Sequence, residues 1–91
     1  MIQAVIDNPA KERFELTERG LVAFAEYRRN GPARIISHVE APLALRGKGT
    51  AGRLMEGLAR KARDEGFRIK PLCSYAILWF RRHPEFSEIL A

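Results

Sequence analysis

Apolar and polar residues along the chain follow two different periods, and the change falls near Pro42. Before it, short runs with strand character, residues 2–6, 13–17, 21–28 and 34–40, are separated by Asn8-Pro9, Glu18-Arg19-Gly20 and Asn30-Gly31-Pro32. These separators are turn chemistry, because glycine accepts positive φ without a Cβ clash and Asn-Gly favours tight hairpins. An antiparallel meander is predicted. After Pro42, Ala51, Leu54, Met55, Leu58, Ala59 and Ala62 recur at the spacing of one helix face, with Arg53, Glu56, Arg60 and Arg63 on the others. Gly66 stands where a left-handed C-terminal cap is needed, and residues 67–73 follow as a short extended run with Ile69 and Leu72. Strand, helix and strand form one crossover unit. Ser74 is placed to cap a helix that runs to about Arg82 and stops before Pro84, since the residue before proline disfavours helical angles. A last short helix is expected over residues 85–90. The fold class is α/β (α+β), a meander joined to a strand-helix-strand crossover with short C-terminal helices.

Composition narrows the classes of function. With 46% hydrophobic and 30% charged residues in 91, the chain has the balance of an ordinary globular domain, read as one domain over residues 1–91. A domain of this size buries roughly 60% of its unfolded surface, enough for one modest core but not for a deep enclosed cavity. No internal repeat or low-complexity tract appears. The start Met-Ile-Gln-Ala-Val lacks the basic and then apolar run of a secretory signal, and no stretch approaches the roughly 20 apolar residues of a membrane span. A cytoplasmic location without membrane attachment is expected. The single cysteine, Cys73, excludes an intrachain disulfide and a Cys-rich metal site, so no metal is expected. Charge is placed unevenly: of the net +5, residues 1–45 contribute nothing, with six Lys/Arg against six Asp/Glu, whereas residues 46–91 carry ten against five. An anionic partner for the second half fits, whether nucleic acid or a phosphate-bearing cofactor. Solvated basic helix faces account for the same asymmetry without any partner.

Between strand and helix lies Leu45-Arg46-Gly47-Lys48-Gly49-Thr50-Ala51-Gly52. The first amides of a helix have no internal partner and sit at the positive end of its dipole, so a glycine turn there can cradle phosphate oxygens. Arg46 and Lys48 add mobile positive charge. A tight strand-to-helix turn without ligand is the plain alternative. Gly47, Gly49 and Gly52 also satisfy the dinucleotide spacing G-x-G-x-x-G. That motif wants an acidic residue at the end of the next strand, where Ile69-Lys70-Pro71-Leu72-Cys73 stands instead. A nucleotide P-loop fails as well, because Gly47-Lys48-Gly49-Thr50 lacks the upstream glycine and misplaces the lysine.

Arg46, Gly49 and Ala51 fit the Arg/Gln-x-x-Gly-x-Gly/Ala signature of GNAT acetyltransferases. The wider pattern, Ile36-Ser37-His38-Val39-Glu40-Ala41-Pro42, then Arg46-Gly47-Lys48-Gly49, Pro71-Leu72-Cys73-Ser74-Tyr75 and Arg81-Arg82-His83-Pro84-Glu85-Phe86, resembles the small single-domain GNAT-like family of plants, animals and bacteria. The resemblance runs from about residue 13 to the end. It implies a mixed sheet whose central parallel strands splay to admit a pantetheine arm, with acetyl-CoA as ligand and its coenzyme A pyrophosphate on Arg46, Gly47, Lys48, Gly49, Thr50, Ala51 and Gly52. It implies acetyl transfer to an amine acceptor, small molecule or protein. That acceptor and the oligomeric state are left open. Val39 and Ala41 stand where the family more often has threonine and valine, and the early helices and closing strands of larger GNAT enzymes have no counterpart.

Acetyl transfer to an amine needs a base for the proton and donors for the developing oxyanion. Glu40 ends the strand entering the turn, where GNAT enzymes often place a glutamate, and is the candidate base; an exposed strand-end carboxylate is the alternative. His38 is expected to share a strand face with Ile36 and Glu40, because side chains alternate, and so to relay a proton or orient Glu40 if it is not simply structural. Cys73, at the start of the second helix, is either an acyl-accepting nucleophile or a buried inert thiol. Arg81, Arg82 and His83 are candidates for the coenzyme's 3′-phosphate or adenine. The competing reading is a basic, non-catalytic nucleic-acid or protein-interaction module; no nucleic-acid motif or aromatic stacking pattern supports it, and nucleic acid ranks second.

Overall fold

The computed structural model describes residues 4–91. Its strands are β1 (Ile6–Asn8), β2 (Arg13–Glu18), β3 (Leu21–Asn30), β4 (Ala33–Glu40) and β5 (Arg68–Pro71), and its helices α1 (Thr50–Glu65) and α2 (Ser74–Arg82). Short 3-10 helices cover Leu43–Leu45 and Pro84–Ile89. The five strands form one sheet in chain order. β1 to β4 pair antiparallel as the expected meander, and β5, reached through α1, lies parallel to β4.

The hairpins follow from their turn residues. Arg19 and Gly20 both take positive φ, 54° and 75°, the two-residue reversal whose twist matches the strands it joins. Gly31, at φ 59°, opens the reversal between β3 and β4. Directly paired residues face the same side, so Phe14, Leu16, Ala23, Ala25, Tyr27, Ile36 and Ile69 converge on one face of the sheet. Onto that face pack Leu54, Met55, Leu58, Ala59 and Ala62 of α1, Ala76, Trp79 and Phe80 of α2, and Phe86 and Ile89 beyond it. The alanines of β3 let α1 approach closely, and Phe14 stacks on Phe67 at 5.8 Å and meets Tyr27 at a tilt at 4.8 Å. The opposite face carries Arg13, Glu15, Phe24, Glu26, His38 and Glu40, with no described helix against it.

Several boundaries differ from expectation. The first strand begins at Ile6, not earlier in the predicted run 2–6, and takes in Asn8; residues 2 and 3 of that run lie outside the described residues. β5 is shorter than the predicted 67–73 because Leu72 and Cys73 already bend to bond a single acceptor, the Ile36 carbonyl. The cap of α2 is Cys73, whose Sγ accepts the Ala76 N–H at 3.4 Å, and Ser74 is the first helical residue. The last element winds as a 3-10 helix from Pro84, one residue before its predicted start. Among the described residues, no helix is long and apolar enough to cross a membrane.

Candidate functional site

Two structural events at one end of the sheet create the site. The first is a separation of strands. β4 and β5 pair from Ala33↔Arg68 to Ile36↔Pro71, and the Ile36 carbonyl then accepts the amides of Leu72 (2.9 Å) and Cys73 (3.3 Å). Beyond that point β4 continues through residues 37–40 against β3 alone, while the chain after β5 turns into α2. A gap opens there between β4 and the chain leaving β5, and among the described residues the edge of residues 37–40 away from β3 pairs with no strand.

The second event is a β-bulge. Glu26 pairs with His38 but Tyr27 with Ile36, so Ser37 is an extra residue in β4. The bulge corrects the expected alternation. Ile36 and Val39 point to the core, and His38 and Glu40 fall together on the open face. His38 therefore does not share a face with Ile36. There His38 Nε2 lies 3.0 Å from Glu40 Oε1, with both side chains about half exposed, and the His38 ring leans on Phe24 at 6.3 Å.

Above the gap, β4 leads through the Leu43–Leu45 3-10 turn into the glycine turn. Gly47 and Gly49 have φ of 77° and 80°, a region that only glycine enters without strain. Gly49 is the N-cap of α1, with no side chain capping the helix. The amides of Gly47, Gly49, Thr50, Ala51 and Gly52 find no backbone acceptor among the described residues. Arg46 and Lys48 are exposed, Arg46 reaching back to the Ala41 carbonyl at 3.4 Å. The result is a concentration of unpaired donors and positive charge at a helix N-terminus, suited to an anion.

A network that local sequence did not signal holds this turn. Glu18, at the end of β2, accepts Arg53 Nε at 2.6 Å, Arg53 Nη2 at 2.8 Å and the Thr50 hydroxyl at 2.6 Å. Those bonds, Arg53 foremost, hold its carboxyl down at about 2. Thr50 is 1% exposed and its hydroxyl is committed to Glu18, so of the predicted cofactor contacts from Thr50 only its amide is free.

The remaining predicted residues divide. Cys73 is half-buried, packs against the core and caps α2, whereas the His38–Glu40 pair lies on the open face of the sheet. Arg81 and His83 lie at the end of α2, and the chain just after them packs on the last turns of α1, where Arg63 reaches Glu88 and the Glu85 carbonyl at 2.7 Å. His83 stacks on Trp79 at 3.8 Å, and its Nδ1 meets the Trp79 carbonyl at 2.7 Å, so its ring serves the end of α2.

The family model described as GCN5-related N-acetyl-transferase matches residues 13–89. The chain belongs to the GCN5-related N-acetyltransferase family. Among solved structures, this GNAT chain is similar to the NMR solution structure of a GCN5-like protein from Staphylococcus aureus, with a TM-score of 0.67 and 18% identity over 98% of this chain and 88% of that one. At that identity the likeness is one of fold. No curated protein matches. The five-stranded mixed sheet with its crossover helix is thus a small GNAT fold, and the turn at Arg46, Gly49 and Ala51 is placed at the start of its crossover helix.

Proposed function

We propose that this GNAT domain binds acetyl-CoA and transfers its acetyl group to an amine. The observation that carries the reading is the coincidence of two features: a gap where β4 and the chain leaving β5 diverge, and, following β4, a helix N-terminus with unpaired amides flanked by Arg46 and Lys48. Either feature alone has other uses. Together they fit a ligand with an extended amide-bearing arm and a pyrophosphate at its end.

In this reading the amides of Gly47, Gly49, Thr50, Ala51 and Gly52 hold the pyrophosphate, and Arg46 and Lys48 neutralise it. The free edge of residues 37–40 offers backbone groups to the arm. When bound, acetyl-CoA supplies a thioester carbonyl open to attack by a free amine. An acceptor arriving as an ammonium must first lose a proton, and Glu40 takes it, with His38 orienting the carboxylate through their 3.0 Å contact. The amine nitrogen then bonds the acetyl carbon, the carbon–sulfur bond breaks with its electron pair going to sulfur, and the second proton shed by the nitrogen ends on the departing thiolate. Transfer is direct, because Cys73 faces the core and uses its sulfur to cap α2.

Titration calorimetry with acetyl-CoA tests binding. A side chain at Gly52 meets nothing within 4 Å and no positive φ, so Gly52→Glu folds while placing a carboxylate among the amides. Saturable binding by the wild type and its loss in Gly52→Glu are expected; a wild type that does not bind, or a variant that binds equally well, rejects the reading. For turnover, Glu40→Gln is expected to lower kcat about 100-fold against a responsive amine, and Cys73→Ala to keep it. Loss of acetylation in a folded Cys73→Ala would replace direct transfer by an acetyl-cysteine route.

A further inference from the structure

We infer that Glu18 is the positioning residue of the anion-binding turn, acting through Arg53 to shape the turn before any ligand arrives. This rests on the acetyl-CoA reading above and adds to it a residue from a distant part of the chain.

The argument begins with one peptide unit. Arg53 Nη2 donates to the Lys48 carbonyl at 2.8 Å. In a planar trans peptide the carbonyl and the following N–H point in opposite directions. Drawing the Lys48 oxygen toward Arg53 therefore turns the Gly49 N–H outward, away from the protein, as an anion cradle requires. Gly49 completes the link from its other side. With φ at 80°, an added Cβ would lie 2.9 Å from Arg53 Nη1, so the guanidinium lies against the glycine and any side chain there would displace it.

Arg53 alone is a long, half-exposed side chain at the start of a helix and has no reason to hold one rotamer. Glu18 supplies that reason. Its two oxygens take the Arg53 fork, and one of them also takes the Thr50 hydroxyl. The fork geometry demands arginine, since an ammonium offers one point charge and no parallel pair of bonds. Glu18 itself is placed by the two-residue reversal at Arg19 and Gly20, which pairs it with Leu21. A hairpin tip of the meander thus reaches across to set the conformation of the crossover turn. Arg53 is not another phosphate arm in this arrangement: its charge is matched by Glu18, and the mobile cations are Arg46 and Lys48.

The test combines backbone dynamics in the free protein with acetyl-CoA titration, on Glu18→Gln, on Arg53→Lys, which keeps the charge but loses the fork, and on the double variant. Expected are a fall in the heteronuclear NOE at Gly47, Lys48 and Gly49 in either single variant, a Kd for acetyl-CoA raised about tenfold, and a double variant no worse than the singles because both changes break one device. Wild-type NOE values in folded Glu18→Gln, or disordered turn amides with unchanged affinity, overturn the inference, as do additive losses in the double variant. Should Glu18→Gln fail to fold, Arg53→Lys carries the same readouts. A wild type that does not bind acetyl-CoA sinks the proposed function instead, and the NOE of the turn then decides the role of Glu18 without a ligand.

Discussion

The two ends of α1 are built from the same parts and finished differently. Each has a glycine in the left-handed region, Gly49 at φ 80° and Gly66 at φ 83°. Each has an arginine of the helix clamped by a glutamate from elsewhere, Arg53 by Glu18 and Arg63 by Glu88, at 2.6 and 2.7 Å. At the C-terminal end the Gly66 N–H returns to the Ala62 carbonyl at 2.8 Å, Arg63 and Arg68 bond the carbonyls of Glu85 and Glu88, and Phe86 lies under Arg60 and Arg63. At the N-terminal end the clamp orients the turn but leaves the amides open. A helix end with its polar groups satisfied is structure; one held in shape with its donors unpaired is prepared for something to bind.

The sharpest way to break the comparison is to damage the closed end and ask whether the open end notices. Phe86 is 2% exposed and touches Trp79 as well as the two arginines. Phe86→Ala is expected to cost about 3–5 kcal/mol in urea unfolding, a large share of the roughly 5–15 kcal/mol that holds a domain together. Acetyl-CoA affinity of the molecules that remain folded is expected to stay at the wild-type value. Reduced affinity in that folded fraction would mean the two ends communicate along the helix.

Next in size is the clamp of the open end, which pH can remove without mutation. Glu18 titrates at about 2 against its usual 4.5, so its contribution is complete above pH 4.5 and is lost as pH falls from there toward 2. Replacing Glu18 by glutamine is expected to cost about 1.5–3 kcal/mol at pH 7 and little once the pH is below the folded pKa of about 2. The difference between the two unfolding curves, measured across that range, should close on acidification. A gap that stays constant with pH would assign the loss to packing rather than to charge.

The elements of the fold were readable in the sequence because each rests on local chemistry. Arg19-Gly20 and Gly31-Pro32 mark the reversals, Gly66 the helix end, and the apolar period changes once, near Pro42. The GNAT turn was legible for the same reason, since its glycines and basic residues are contiguous. What escaped depends on contacts or on a count. The bulge at Ser37 moves one residue out of register and reverses the face of His38 and Glu40, and nothing in Ile36-Ser37-His38 announces it. Glu18 read as a turn residue, because its partners Thr50 and Arg53 lie far along the chain. The use of the His83 ring depends on contacts too: its stack on Trp79 and its contact with the Trp79 carbonyl form only once α2 has wound.

Alanine at the two cap glycines separates strain from crowding. At Gly66 nothing would meet the new Cβ, so the cost is the left-handed φ alone, about 1 kcal/mol. At Gly49 the same strain is joined by the collision with Arg53, and about 2 kcal/mol is expected, with weaker acetyl-CoA binding. Thermal unfolding of the pair measures the difference. Equal costs would mean that Arg53 yields freely and that its hold on the turn is loose.

Gly52→Ala is the smallest change and the one that best divides stability from use. Gly52 lies in the first turn of α1 at ordinary helical angles with open space around its Cα, so nothing in the fold asks for glycine there. Alanine should therefore raise stability by about 0.5–1 kcal/mol through helix propensity and reduced freedom of the unfolded chain. The methyl group would nonetheless stand beside the amides that open toward the gap, where close approach of a phosphate is the remaining reason for having no side chain. A higher melting temperature together with a weaker acetyl-CoA isotherm is the expected pair of results. If stability rises and affinity does not fall, the phosphate approaches on the Gly47–Gly49 side of the turn, and the helix end contributes its dipole rather than its first-turn amides.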